Sequence, residues 1–145
     1  MGAAVYLKDM PKDPNQPRIH APDLDAFEAM GRAAFATIPE AMRRLLTDVV
    51  IRVEDFPDER VMQEMELRSP FDILGLYRGM PVGHKAAGSP PGEVDIIFLY
   101  RRPILDYWVE TGEDLAHVIR HVLIHEIGHH FGLSDDDMER IEGVG

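Results

Sequence analysis

The sequence predicts an α+β fold built as a single domain, and three observations carry that expectation. Apolar residues recur at helical spacing after Pro22, three later runs alternate or cluster in the manner of strands, and residues 115–131 read as one long apolar helix. A chain of 145 residues suits one core rather than two. The expected division is a proline-rich extended arm over 1–22 and one domain over 23–145.

In chain order, DMPKDPNQPRIHAP over 9–22 holds four prolines and few large apolar groups, which is the composition of an arm or linker. PDLDAFEAMGRAAFATIP then opens a helix at Pro22 or Asp23, with Leu24, Phe27, Met30, Ala34 and Phe35 directed to one face. Pro39 starts a second helix, PEAMRRLL, because proline is favoured in a first turn. DVVIRVEDFP sets Val49, Ile51 and Val53 against Val50, Arg52 and Glu54, the period of a strand with one buried face. DERVMQEMELRSP reads as a short helix. FDILGLYRGM is a second strand interrupted by Gly75, MPVGHKAAGSPPGE a loop, and VDIIFLYRRPIL a strongly β-forming run closed by Pro103.

Thr111 and Asp114 resemble a capping box for the long helix, which runs to about Phe131 and stops at Gly132. Ser134 with Asp137 repeats that pattern for a short final helix, DDMERIEG.

Composition excludes several functions. Cysteine is absent, so disulfides and thiolate metal sites are ruled out, and a metal would have to use His, Asp or Glu. A net charge of -11 argues against a nucleic-acid partner, and Arg43-Arg44 and Arg101-Arg102 are too isolated to reverse it. No apolar run spans a bilayer, and MGAAVYLKDMPKDP lacks the basic and apolar regions of a secretion signal. A cytoplasmic monomer without a membrane partner is expected.

The long helix carries the chemistry. Leu115, Ala116, Val118, Ile119, Val122, Leu123, Ile124, Ile127 and Phe131 cover most of its circumference, so it reads as buried. The remaining stripe is His117, His121, His125 and His129, and burying such rings without partners costs several kcal/mol. His125 and His129, one turn apart, can both reach one ion at the zinc–nitrogen distance of roughly 2.0 to 2.1 Å. Glu126 lies about 100° further round, beside a metal without ligating it, which suits a general base acting on a zinc-activated water. Once Gly132 turns the chain, Asp135 can return a carboxylate as third ligand, with Asp136 and Asp137 as rivals that spacing places behind it.

Other residues have plainer readings. Glu126 can pair instead with His130, four residues on. His121 suits support of a ligand or a satisfied core position, His117 a structural one, and His20 and His84 solvated loops. His84, Tyr100, Tyr107 and Arg101 are candidates for an oxyanion or substrate group. Met30, Met42, Met62 and Met65 fit helical faces as core filler.

The run His125-Glu126-Ile127-Gly128-His129-His130-Phe131-Gly132-Leu133-Ser134-Asp135 resembles the HExxHxxGxxD form of the zincin metallopeptidase signature. With FDILGLYRG, VDIIFLYRRPIL and LIHEIGHHFGLSDDDM, the chain over roughly residues 24–142 resembles a small bacterial family of zincin-like proteins described as minimal matrix-metalloprotease-like domains. The resemblance implies a small mixed sheet of three or four strands packed on the long helix, with a short C-terminal helix after it. It implies Zn²⁺ on His125, His129 and Asp135, Glu126 as base, and a peptide or protein substrate. VDIIFLYRRPIL is the candidate strand for holding an extended peptide by edge pairing. Larger metzincins place a methionine turn well after the third ligand, and Met138 follows Asp135 too closely for that part. The alternative is a zinc-binding interaction or regulatory module with weak or no turnover.

Overall fold

A computed structural model describes residues 3–11, 14, 21–46, 48–79 and 95–143. His20, His84 and the loop expected over 80–93 lie outside them. Helix α1, Leu24–Ala36, begins where the Asp23 carboxylate accepts from the Ala26 backbone N–H at 2.8 Å, an N-cap role that short acidic side chains favour. It buries Phe27, Gly31 and Ala34, while Leu24, expected on that face, is exposed in the first turn. Helix α2, Glu40–Arg43, follows Pro39 and buries Met42. Strand β1, Val49–Glu54, keeps the expected alternation, with Val49, Ile51 and Val53 partly covered and Val50 and Arg52 exposed. Asp58 caps helix α3, Glu59–Glu64.

Strand β2, Gly75–Arg78, begins at Gly75 instead of being interrupted by it. The reason is space: a Cβ there would lie 2.7 Å from Val122 Cγ1 and 3.0 Å from the Phe98 carbonyl oxygen. Only glycine lets β2 approach the sheet and the helix beneath it this closely. Strand β3, Asp95–Tyr100, runs parallel to β1 and antiparallel to β2, giving the order β1-β3-β2. This corrects the expectation that VDIIFLYRRPIL offers an edge. β3 is the central strand, with hydrogen-bonded neighbours on both sides, and β2 is an outer strand of this sheet.

The same run is also shorter as a strand than the sequence suggests. Helix α4, Arg101–Thr111, starts directly after Tyr100. Pro103 falls in its first turn, where a missing N–H costs no intrahelical bond, so it opens a helix rather than closing a strand. Thr111 ends α4 before Gly112, and Asp114 alone caps the next helix by accepting from the His117 N–H at 3.1 Å.

Helix α5, Leu115–His130, is the spine of the core. Its Val118, Ile119, Val122, Leu123, Ile124 and Ile127 are buried with Phe27 and Ala34 of α1, Ile97 and Leu99 of β3 and Ile104 of α4. Gly132 then turns the chain at φ 72°, a conformation that an L side chain resists. Helix α6, Asp135–Glu142, packs back on α5 through fully buried Met138. Among the described residues the fold is α+β, six α-helices with a three-stranded mixed sheet, as the sequence predicts. None of the helices among them is long and apolar enough to cross a membrane.

Candidate functional site

The histidine stripe of α5 faces outward. His117, His121 and His129 are exposed and His125 is partly covered. The sequence predicts a buried edge for these rings, and the packing differs: α1, α4, α6 and the sheet cover the other sides of α5 and leave this one open. Away from this edge, the buried Nε2 of His130 has no hydrogen-bond partner among the described residues.

The structure brings His125, His129 and Asp135 together, one ligand atom from each lying within 4.8 Å of the others. The His125 and His129 rings stand nearly perpendicular, 80° apart in plane with centroids 5.7 Å apart. Asp135 reaches them because it is the first residue of α6, immediately after the Ser134 cap. Its rivals have other occupations. Asp137 completes the capping box, accepting from the Ser134 N–H at 3.3 Å, and also pairs with Arg140, contacts that hold its carboxyl below the usual range. Asp136 borders a surface recess with Glu139 and Arg140.

Glu126 lies beside the histidine edge, on the side of α5 that faces β2. Its Cγ would stand 3.4 Å from a Cβ on Gly75, so the glycine also leaves room for this side chain. Burial raises the Glu126 pKa, and the positive charge available to His129 and the Tyr77 backbone N–H oppose that rise. The competing partner foreseen for this carboxylate, His130, is instead stacked on the Tyr77 ring at 3.9 Å between centroids. Burial likewise raises the Tyr77 phenol pKa, reinforced by Asp95. The His125 pKa is lowered, first by desolvation and then by His121, with Glu142 acting in the other direction.

A second group overlaps the first. His121, His125 and Glu142 also bring three ligand atoms within 4.8 Å and form a possible metal-binding group. Glu142 Oε1 lies 2.6 Å from His121 Nδ1 and 3.1 Å from His125 Nε2. The His121 and His125 rings stack at 4.0 Å. His121 is therefore an exposed neighbour of His125, not a core residue. Motif spacing alone does not single out Glu142, although it stands seven residues after Asp135 and so on the same face of α6.

The remaining candidates divide. Tyr100 is buried in the sheet, its pKa pushed up to about 12 chiefly by desolvation. Arg101 is engaged with the Pro22 carbonyl and Asp55, both at 2.8 Å. Tyr107 does come near the histidine edge, lining a recess of about 360 Å³ with Leu74, His117, Val118, His121 and Val122.

A mixed sheet laid over a helix that carries HExxH, followed by a glycine turn that returns a carboxylate, is consistent with a zincin-like fold. The family model for zincin-like metallopeptidases matches residues 46–144, and the chain belongs to that family. Membership suggests a metallopeptidase and implies a metal ion, zinc for a zincin, and a peptide substrate. A comparison with curated proteins gives no match.

Proposed function

We propose that this protein is a zinc-dependent peptidase in which His125, His129 and Asp135 hold the ion and Glu126 is the general base. The observation that carries this reading is the convergence of those three ligand atoms within 4.8 Å, with Glu126 one residue after the first of them. Two imidazole nitrogens and one carboxylate oxygen are a donor set that suits zinc and leaves a fourth position open. When bound, zinc would acidify a water and polarise the substrate carbonyl.

The chain's own residues supply the rest. The lowered pKa of His125 keeps its imidazole neutral and available as a ligand at neutral pH. The raised pKa of Glu126 makes its carboxylate a stronger proton acceptor than an exposed one, while it remains placed to pass that proton on to a leaving amine. β2 pairs with β3 on one side, and its other side is the natural place for an extended peptide to add by main-chain hydrogen bonds. The recess beside His121, with Leu74, Val118 and Val122 among its walls, suits an apolar side chain of such a peptide.

The alternative, a zinc-binding interaction module without turnover, has one observation in its favour: His125 Nε2 is turned to Glu142 Oε1, 3.1 Å away. Cleavage of a peptide library by zinc-loaded wild type and Glu126→Gln separates the two. The proposal expects cleavage by wild type and a loss of roughly 10² to 10⁴-fold in a variant that keeps its metal. Equal cleavage by both removes Glu126 as base, and none by either favours the interaction module.

A further inference from the structure

We propose that His121, His125 and Glu142 form a second divalent-metal station, and that it excludes the first because both require the His125 imidazole. The exclusion rests on the reading of His125, His129 and Asp135 as the first station; the second station itself does not.

The geometry follows from two helices packed in opposite directions. On α5, His121, His125 and His129 succeed one another every four residues along one edge. On α6, Asp135 and Glu142 are seven residues apart, close to two turns of about 3.6 residues, and so share a face. After the Gly132 turn α6 runs back along α5. Asp135 therefore meets His125 and His129, and Glu142 meets His121 and His125. Arg120 holds the far end of α6 in place, donating to the Glu142 carbonyl at 2.9 Å and to Thr37 Oγ1 of the α1 C-cap at 3.0 Å.

The state of Glu142 points to a cation. Its side chain is 18% exposed, and its buried Oε1 sits between two ring nitrogens, 2.6 Å from His121 Nδ1 and 3.1 Å from His125 Nε2. A carboxylate so covered calls for a positive partner at that point. The rings on either side are stacked with centroids 4.0 Å apart, and each turns a nitrogen toward the same carboxylate oxygen. One divalent ion shared by two neutral imidazoles and the carboxylate satisfies all three groups, with the nitrogen and oxygen donors that zinc and cobalt accept.

Each station uses two imidazoles and one carboxylate, and His125 belongs to both. Loading the second station therefore removes a ligand from the first. The ion would then be retained without His129 or Asp135.

Co²⁺ binding to the full chain, followed by visible absorption and calorimetry, tests this with no need for activity. Wild type, His129→Ala, His129→Ala with Glu142→Gln, and His129→Ala with His121→Ala are compared, with folding of each checked by circular dichroism. Wild type is expected to bind one equivalent. His129→Ala should still bind one equivalent with an altered spectrum, and each double variant should bind at least tenfold more weakly than His129→Ala. Loss of all binding in His129→Ala overturns the second station while sparing the first. Double variants that bind as His129→Ala does also overturn it, and two equivalents in wild type overturn the exclusion. A wild-type spectrum unchanged by His129→Ala but lost with Glu142→Gln would keep the second station and sink the proposed first one.

Discussion

Met138 occupies the space that Gly128 leaves open: a Cβ on Gly128 would lie 2.3 Å from Met138 Sδ and 2.8 Å from its Cγ. Gly128 is the residue just before His129, and Met138 lies three residues after Asp135, so this contact sets the distance between the two helices that carry the ligands. Gly128→Ala should lower stability by about 1–3 kcal/mol, the usual cost of overpacking a filled site. Chemical denaturation measures it. A variant as stable as wild type would mean that α6 is not docked here.

The Gly132 turn yields a second expectation. At φ 72° an alanine is strained by roughly 1–2 kcal/mol. Gly132→Ala should therefore unfold at lower denaturant and bind zinc more weakly, because Asp135 is delivered by this turn. No open-space clash contributes, since nothing lies within 4 Å of a Cβ at that position. Gly132→Asn, a residue that tolerates the left-handed region better, should recover part of the loss, and equal losses for both would point to a cause other than backbone strain.

Glu126 predicts a pH dependence in the metal-free protein. Burial raises its folded pKa above the unfolded value, so the folded state binds the proton more tightly. Its contribution to stability is then fully present below the unfolded pKa of about 4.3 and is lost as pH rises through the higher folded pKa. Glu126→Gln carries no such charge. Measured in chelator, the variant should gain stability relative to wild type as pH rises from 4 toward 7, with the wild-type curve falling away over that range. A difference independent of pH would show that ionised Glu126 is not penalised by its surroundings.

How far the sequence could be read depends on whether the interactions are local. The helix at 115–130 and the turn at Gly132 were legible because spacing and backbone preference are properties of neighbouring residues. Pro103 misled because the same proline can end a strand or sit in a first helical turn, and only the packing of Ile104 and Leu105 decides. That β3 is central and β2 outer depends on which strands pair, which no single run contains. The histidine stripe is visible in the sequence but its exposure is not, since a helical wheel shows which residues share an edge and not what covers it. Glu142 was concealed for a related reason: its seven-residue spacing from Asp135 is visible, but its meeting with His121 requires α6 to fold back. Gly75 looks like an interruption in the sequence, yet its small size is what admits Val122 and Glu126 beneath β2.

Whether Asp135 completes a zinc site is answered by zinc affinity in competition with a chromophoric chelator, wild type against Asp135→Ala. One tightly bound zinc is expected in wild type, and an affinity lower by on the order of tenfold or more in the variant, the effect seen even when a partner of a ligand is removed. Wild type that binds no zinc, or an Asp135→Ala variant that binds it as tightly as wild type, would contradict it.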